Sequence, residues 1–119
     1  MNPNKEFTVT PELTALAVGS GGLDVLATPA LVTMIENTCY NYLEELLSKE
    51  ETSVGVQITL HHIATSKVGA QIQIVVNTIT DEGKKVGFQF EAFENGRVIA
   101  RGEHQRVIVN AQKFLSKLS

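Results

Sequence analysis

Two ionisable side chains stand where the spacing of the sequence calls for apolar residues, and both could carry proton transfer. Glu36 falls inside the apolar stripe of a predicted helix, and His62 ends the apolar face of a predicted strand. Thr28, at the predicted start of that helix, adds a hydroxyl beside backbone amides that could hold a carbonyl. A carboxylate, an imidazole and a hydroxyl could together activate a nucleophile and stabilise an oxyanion, so all three are candidates for catalysis.

Each candidate also has a purely structural explanation. Glu36 could reach a backbone amide or an arginine such as Arg106, because a buried charge without a partner costs several kcal/mol. His62 could be a satisfied core histidine, and Thr28 could simply cap the helix, a contribution of ~1 kcal/mol. His61 points away from His62 on the opposite face, so the histidines and Glu36 supply no chelating set. We therefore predict no metal site.

One long helix must position Thr28 and Glu36. Thr is a preferred N-cap and Pro a preferred first helical residue, so the run Ala27-Thr28-Pro29 predicts a helix start. The apolar residues that recur at helical spacing are Leu31, Val32, Ile35, Cys39, Leu43, Leu46 and Leu47. About 18 residues at this spacing predict a helix of ~27 Å.

The second half of the chain alternates with the period of two that is typical of strands. The predicted inward faces are Val54, Val56, Ile58, Leu60 and His62, then Ile72, Ile74 and Val76, then Val86, Phe88, Phe90 and Ala92. Residues 81–84 and 94–97 predict hairpin turns, the second with an Asn-Gly pair suited to a type I′ turn. The last strand, from about Val98 to Asn110, places His104 and Arg106 on its apolar face, either near the solvent end of the sheet or against an anion.

The order of elements predicts a single α+β domain over residues 1–119. An antiparallel sheet with one apolar face needs a cover, and the long helix is the only predicted element that can provide it. A sheet wrapped around one central helix describes a hot-dog fold, although cystatin-like and other helix-on-sheet domains share this layout. A short strand before the helix would also fit, and the order of strands in the sheet is left open.

Composition and charge exclude several classes of protein. The 119 residues carry a formal net charge of −3, which argues against nucleic-acid binding. Residues 60–119 are nevertheless basic, and could either meet a nucleotide-phosphate tail or serve solubility. The single cysteine, Cys39, excludes an internal disulfide framework and favours a reduced, cytoplasmic location. No apolar run approaches ~20 residues, so we expect neither a membrane span nor membrane binding.

Several short segments resemble the fluoroacetyl-CoA thioesterase branch of the hot-dog thioesterases, from about Val25 to Phe114. They are Ala27-Thr28-Pro29, residues 34–39, Ser53-Val54-Gly55, Leu60-His61-His62, Gly69 and residues 102–106. The resemblance implies that Thr28, Glu36 and His62 act together in thioester hydrolysis. It also implies that Gly55 lines the acyl pocket, that Arg106 binds substrate, and that the protein forms homodimers or higher oligomers with active sites near the interface.

Two departures from that branch bear on the substrate. Residues 11–27 contain no aromatic residue, where the fluoroacetyl-specific enzyme carries an aromatic lid, and Asn37 replaces a large aromatic. We therefore expect hydrolysis of another short acyl-CoA, not selectivity for fluoroacetyl-CoA. A thioester is already activated, so we expect no metal and no other cofactor. The alternatives are a non-catalytic module that binds acyl-CoA or a small hydrophobic ligand, and a structural dimerisation domain.

Overall fold

A computed structural model describes residues 2–119 and shows five strands and three helices in that range. In chain order they are β1 (Asn4–Thr8), α1 (Ala15–Val18), α2 (Thr28–Glu44), β2 (Glu51–His62), β3 (Gln71–Glu82), β4 (Lys85–Glu94), β5 (Arg97–Asn110) and α3 (Ala111–Ser116). A 3₁₀ turn, Pro11–Leu13, precedes α1. No helix in this range is long and apolar enough to cross a membrane.

All strand pairs in the sheet are antiparallel, in the order β1-β3-β4-β5-β2. The predicted strands and hairpins are therefore confirmed, and β1 is the short strand that the sequence left room for. The turn between β4 and β5 has positive φ at both central residues, 51° at Asn95 and 75° at Gly96, as a type I′ turn requires. The order leaves β1 and β2 as the two edges of the sheet.

Helix α2 covers one face of the sheet and supplies much of the core. Leu31, Ile35 and Cys39 are completely buried, and they face the predicted apolar positions of β3 and β4, which are all buried as well. The helix ends at Glu44, earlier than predicted, because the amide of Leu46 donates to Leu43 and tightens the chain into a turn toward β2. Leu46 is consequently exposed.

Strand β2 contains a bulge that changes which of its residues face the helix. Its pairing with β5 shifts between Gly55 and Gln57, so Val56 is the extra residue. Ser53 is buried on one side of the bulge, whereas Val56 is 53% exposed. The prediction that Val54 and Val56 share the inward face of His62 is therefore wrong, since one inserted residue reverses the alternation.

Candidate active site

Thr28 and His62 form a hydrogen-bonded pair at the start of α2. Thr28 Oγ1 lies 2.8 Å from Nδ1 of His62, the last residue of β2. Ala27, not Thr28, occupies the N-cap position, and Thr28 is the first helical residue. The prediction of a capping threonine is therefore wrong by one position, and the Thr28 hydroxyl is directed to the imidazole instead.

The surroundings of His62 favour a neutral ring. Burial lowers the pKa of His62 below its ordinary value, while the backbone of Ala64 acts in the opposite direction. The other ring nitrogen, Nε2, is buried and has no hydrogen-bond partner within residues 2–119. His61 is exposed and lies on the other face of the strand, as predicted. A neutral imidazole can accept a proton from the Thr28 hydroxyl or from a water molecule.

Glu36 belongs to a second cluster, which is built on Arg106. Arg106 Nη1 donates to Glu36 Oε2 over 3.2 Å, while its Nε and Nη2 donate to the hydroxyl and carbonyl of Ser53 over 2.8 and 3.2 Å. A pairing of Glu36 with Arg106 was the structural explanation predicted from the sequence for a buried carboxylate, and this pairing is confirmed. The Glu36 side chain is 41% exposed, so it lies at the margin of the buried stripe and not inside it as predicted.

His104 completes this cluster. Its Nδ1 lies 2.7 Å from the carbonyl oxygen of Gln57, which can only accept, so Nδ1 carries the hydrogen. Nε2 then accepts from Arg106 Nη1 over 3.2 Å. Burial lowers the pKa of His104, the Gln57 carbonyl opposes that shift, and the charge of Arg106 adds to it. Both ring nitrogens therefore have hydrogen-bond partners. His104 and Arg106 lie against an anion, Glu36, which was one of the two alternatives predicted for these residues.

Gly55 leaves the space that the Glu36 carboxylate occupies. A Cβ at this position would fall on Glu36 Oε2 and would lie 3.3 Å from both Arg106 Nη1 and His104 Cε1. Only glycine therefore fits while the cluster keeps its geometry. The bulge at Val56 turns Gly55 toward the cluster, because it puts Gly55 opposite the buried Arg106.

The five predicted site residues thus form two groups within one chain. Thr28 contacts His62, whereas Glu36, Gly55 and Arg106 lie together. Thr28 and Glu36 are eight residues apart, which corresponds to ~12 Å along the helix axis. Sequence reasoning gave no role to Ser53, and it placed His104 beside Arg106 on the apolar strand face without including it among the site residues. The inward position of His104 follows from the apolar face of its strand. The inward position of Ser53 could be inferred only with knowledge of the bulge.

Two adjoining hollows lie along the exposed flank of α2. An apolar cavity of about 390 Å³ is lined by Phe7, Leu13, Val18, Pro29, Ala30, Thr33, Met34 and Asn37. A polar pocket of about 250 Å³ is lined by Thr33, Glu36, Asn37, Tyr40 and Arg106. Among residues 2–119, no group of three or more His, Cys, Asp or Glu side chains could hold a metal ion.

Comparison with solved structures shows that this architecture is the hot-dog fold of the thioesterases. A point mutant of the fluoroacetyl-CoA-specific thioesterase FlK, crystallised with fluoroacetate and CoA, superposes with a TM-score of 0.90 at 23% identity, over 97% of this chain and 94% of that one. A hypothetical Thermus thermophilus protein, a member of the thioesterase superfamily, gives a TM-score of 0.89 at 24% identity, over 99% and 88%.

Residues 9–112 match the model of the FlK family, the fluoroacetyl-CoA-specific thioesterases, and the chain belongs to this family. The fluoroacetyl-CoA thioesterase of Streptantibioticus cattleyicolor is 25% identical over 95 residues, which are 80% of this chain and 68% of that protein. The predicted family, fold class and thioesterase activity are confirmed by these findings. The roles of the individual site residues stay predictions.

Proposed function

We propose that the protein hydrolyses acyl-CoA thioesters through Thr28, Glu36 and His62, with Gly55 and Arg106 shaping the substrate site. The observation that carries the proposal is the 2.8 Å contact between the Thr28 hydroxyl and the imidazole of His62. It joins a nucleophile or proton donor to a neutral base at the start of a helix, where free backbone amides favour a developing oxyanion.

Each round of the reaction needs one attack and two proton transfers. The oxygen of Thr28 or of a water molecule attacks the carbonyl carbon as His62 takes its proton, and a tetrahedral oxyanion forms. The carbon–sulfur bond then breaks, and the proton passes from His62 to the CoA thiolate. If Thr28 is the nucleophile, a water molecule hydrolyses the resulting ester in a second round of the same steps.

Glu36 supplies a carboxylate that either attacks the carbonyl carbon itself, to form an anhydride that water then hydrolyses, or activates the attacking oxygen. This carboxylate is fixed in direction but open to solvent. Arg106 binds one of its oxygens, and the side chain remains 41% exposed. We propose that a homodimer brings Glu36 of one subunit beside the Thr28–His62 pair of the other. A two-fold axis that passes beside α2, perpendicular to the helix and level with the midpoint between these residues, would do so, and the unpaired edge of β2 offers a surface for the partner.

Hydrolysis itself is tested with a panel of acyl-CoA thioesters and a thiol reagent that reports free CoA. We expect turnover with the wild type and its loss in Glu36→Gln and His62→Ala, while His61→Ala, an exposed neighbour, serves as the control. Saturable binding of acyl-CoA without release of CoA would contradict the proposal and would favour a non-catalytic binding module.

The shared site is tested by mixing two inactive variants. In a heterodimer of Glu36→Gln and His62→Ala, one site receives both mutations and the other receives neither, if each site draws on two subunits. We expect co-expression to restore about one quarter of the wild-type sites. A site contained within one chain would regain nothing, because every site would carry one mutation.

A cytoplasmic location is also part of the proposal. It is supported by the composition, since the one cysteine, Cys39, is free and buried. Fractionation of cells that express the tagged protein is the test, and recovery outside the cytoplasmic fraction would contradict it.

A further inference from the structure

The apolar cavity on the flank of α2 has the size and walls of a ligand site. Its volume of about 390 Å³ falls within the usual range for small-molecule sites, roughly 300–1,000 Å³. Apolar side chains from β1, the 3₁₀ turn, α1 and the first turns of α2 form most of its wall, and none of its lining residues is charged. Such walls suit an aliphatic group.

The cavity adjoins the pocket of Glu36. Thr33 and Asn37, which are four residues apart and hence neighbours on one flank of α2, line both hollows. Beyond them lie Glu36 and Arg106 on one side and Pro29 and Met34 on the other. A ligand with a polar reacting end at Glu36 and an aliphatic tail would therefore lie along the helix and fill both hollows.

We propose that the apolar cavity receives the aliphatic tail of the acyl group, and that the preferred substrates are acyl-CoA thioesters with chains longer than acetyl. This inference rests on the proposed function and names its substrate class. A two-carbon acyl group is far smaller than the cavity and gains little from its walls, whereas each added methylene removes apolar surface from water.

The first test is a series of acetyl-, butyryl-, hexanoyl- and octanoyl-CoA. We expect kcat/KM to rise about two- to fourfold for each added methylene until the cavity is full, the range that burial of one CH₂ allows. A flat profile, or a maximum at acetyl-CoA, would overturn the proposal while leaving thioester hydrolysis intact.

The second test fills the cavity from its rim. Val18 ends α1, lines the cavity and is 46% exposed, so a larger side chain is expected to fold there. We expect Val18→Trp to lower the octanoyl-to-acetyl ratio of kcat/KM at least tenfold. Leu16→Trp places the same ring on an exposed position of the same helix outside the cavity lining, and we expect it to keep the wild-type ratio.

A binding measurement separates failure of this inference from failure of the proposed function. The probe is CoA that carries an octyl thioether, which cannot be hydrolysed, titrated by calorimetry into wild type, Val18→Trp and Leu16→Trp. Tighter binding of the octyl thioether than of CoA, lost only in Val18→Trp, supports the tail site even if no thioester is turned over. Equal binding by all three proteins overturns it.

Discussion

The two polar clusters of this chain differ in how fully their hydrogen-bonding groups are used. Arg106 donates to Ser53, His104 and Glu36, and both nitrogens of His104 have partners. His62 has one partner, and its Nε2 has none within residues 2–119. A saturated cluster holds its members in place, whereas a ring with a free nitrogen can exchange a proton. This difference supports the proposal that the Arg106 cluster holds the Glu36 carboxylate in position while His62 transfers the proton.

The largest expected effect is on turnover, when His62 is replaced. We expect His62→Ala to lower kcat at least ~10²-fold, because a positioned proton-transfer group is lost. His61→Ala should stay near wild type, since His61 is exposed on the opposite face of β2. Release of CoA under saturating substrate is the measurement. Equal losses of kcat in His62→Ala and His61→Ala would contradict the assignment of the catalytic histidine to the inner face of β2.

The saturated cluster should show its effect in stability. Arg106→Met leaves two buried partners, Ser53 and His104, without their donor, and we expect the free energy of unfolding to fall by about 2 kcal/mol. Arg101→Met, an exposed arginine on the other face of the same strand, is the matched control. Urea unfolding measures both. If Arg106→Met and Arg101→Met had the same free energy of unfolding, the Arg106 cluster would contribute nothing measurable to stability.

The pH dependence should follow the burial of His62. Burial lowers its pKa below 6.5, so the neutral, proton-accepting ring persists to lower pH than in a free histidine. We expect the acid limb of kcat/KM to have its midpoint below pH 6.5. A midpoint above pH 6.5 would show that the group whose protonation stops catalysis is not the buried imidazole of His62.

The free energy of unfolding should fall over the same pH range as the activity. As the pH drops below 6.5, the unfolded chain binds protons at positions 62 and 104 before the native protein does, and the free energy of unfolding decreases until the native values are passed. His62→Ala should keep the part of this loss that is due to His104. Urea unfolding at pH 7 and at pH 5 measures both contributions.

The smallest expected effect concerns the contribution of Thr28 to stability. Its hydroxyl bonds His62 and does not cap α2, so Thr28→Ala should lower the free energy of unfolding only by the contribution of one hydrogen bond, about 0.5–1.5 kcal/mol. The same substitution should lower turnover strongly, while Thr28→Ser keeps the hydroxyl and should restore it. A loss of the same size when Thr28→Ala is added to His62→Ala would indicate a capping role after all, because that background has no imidazole for the hydroxyl to bond.

Local features of the sequence predicted most of the fold. The apolar spacing of α2 as far as Leu43, the alternation of β3 and β4, and the Asn95-Gly96 turn depend on neighbours a few residues away, and these are confirmed. The bulge at Val56 was missed because its place depends on packing against α2 and β5. Alternation alone continues through position 56 and therefore assigned the wrong face to Val54.

The candidate site was only partly predictable for the same reason. Periodicity identified Glu36 and His62 as exceptions to their faces, but it could not show that each has a different partner. Those partners, Arg106 and Thr28, are 70 and 34 residues away along the chain. Contacts at such separations are fixed by the register of β2 and β5, which no short segment encodes.

The extra residue at Val56 makes the length of β2 as important as its composition. Removing this one exposed valine would restore unbroken pairing with β5 and would keep Ser53, Gly55 and His62 on the inner face, because the pairing on either side of the bulge is already in register. With Val56 present, Ser53 and His62 are nine residues apart, an odd spacing that an unbroken strand would place on opposite faces, so the bulge is what lets both clusters face α2. Relatives in this family that lack a residue at position 56 should therefore have an unbroken pairing of these two strands and still keep both clusters on the inner face.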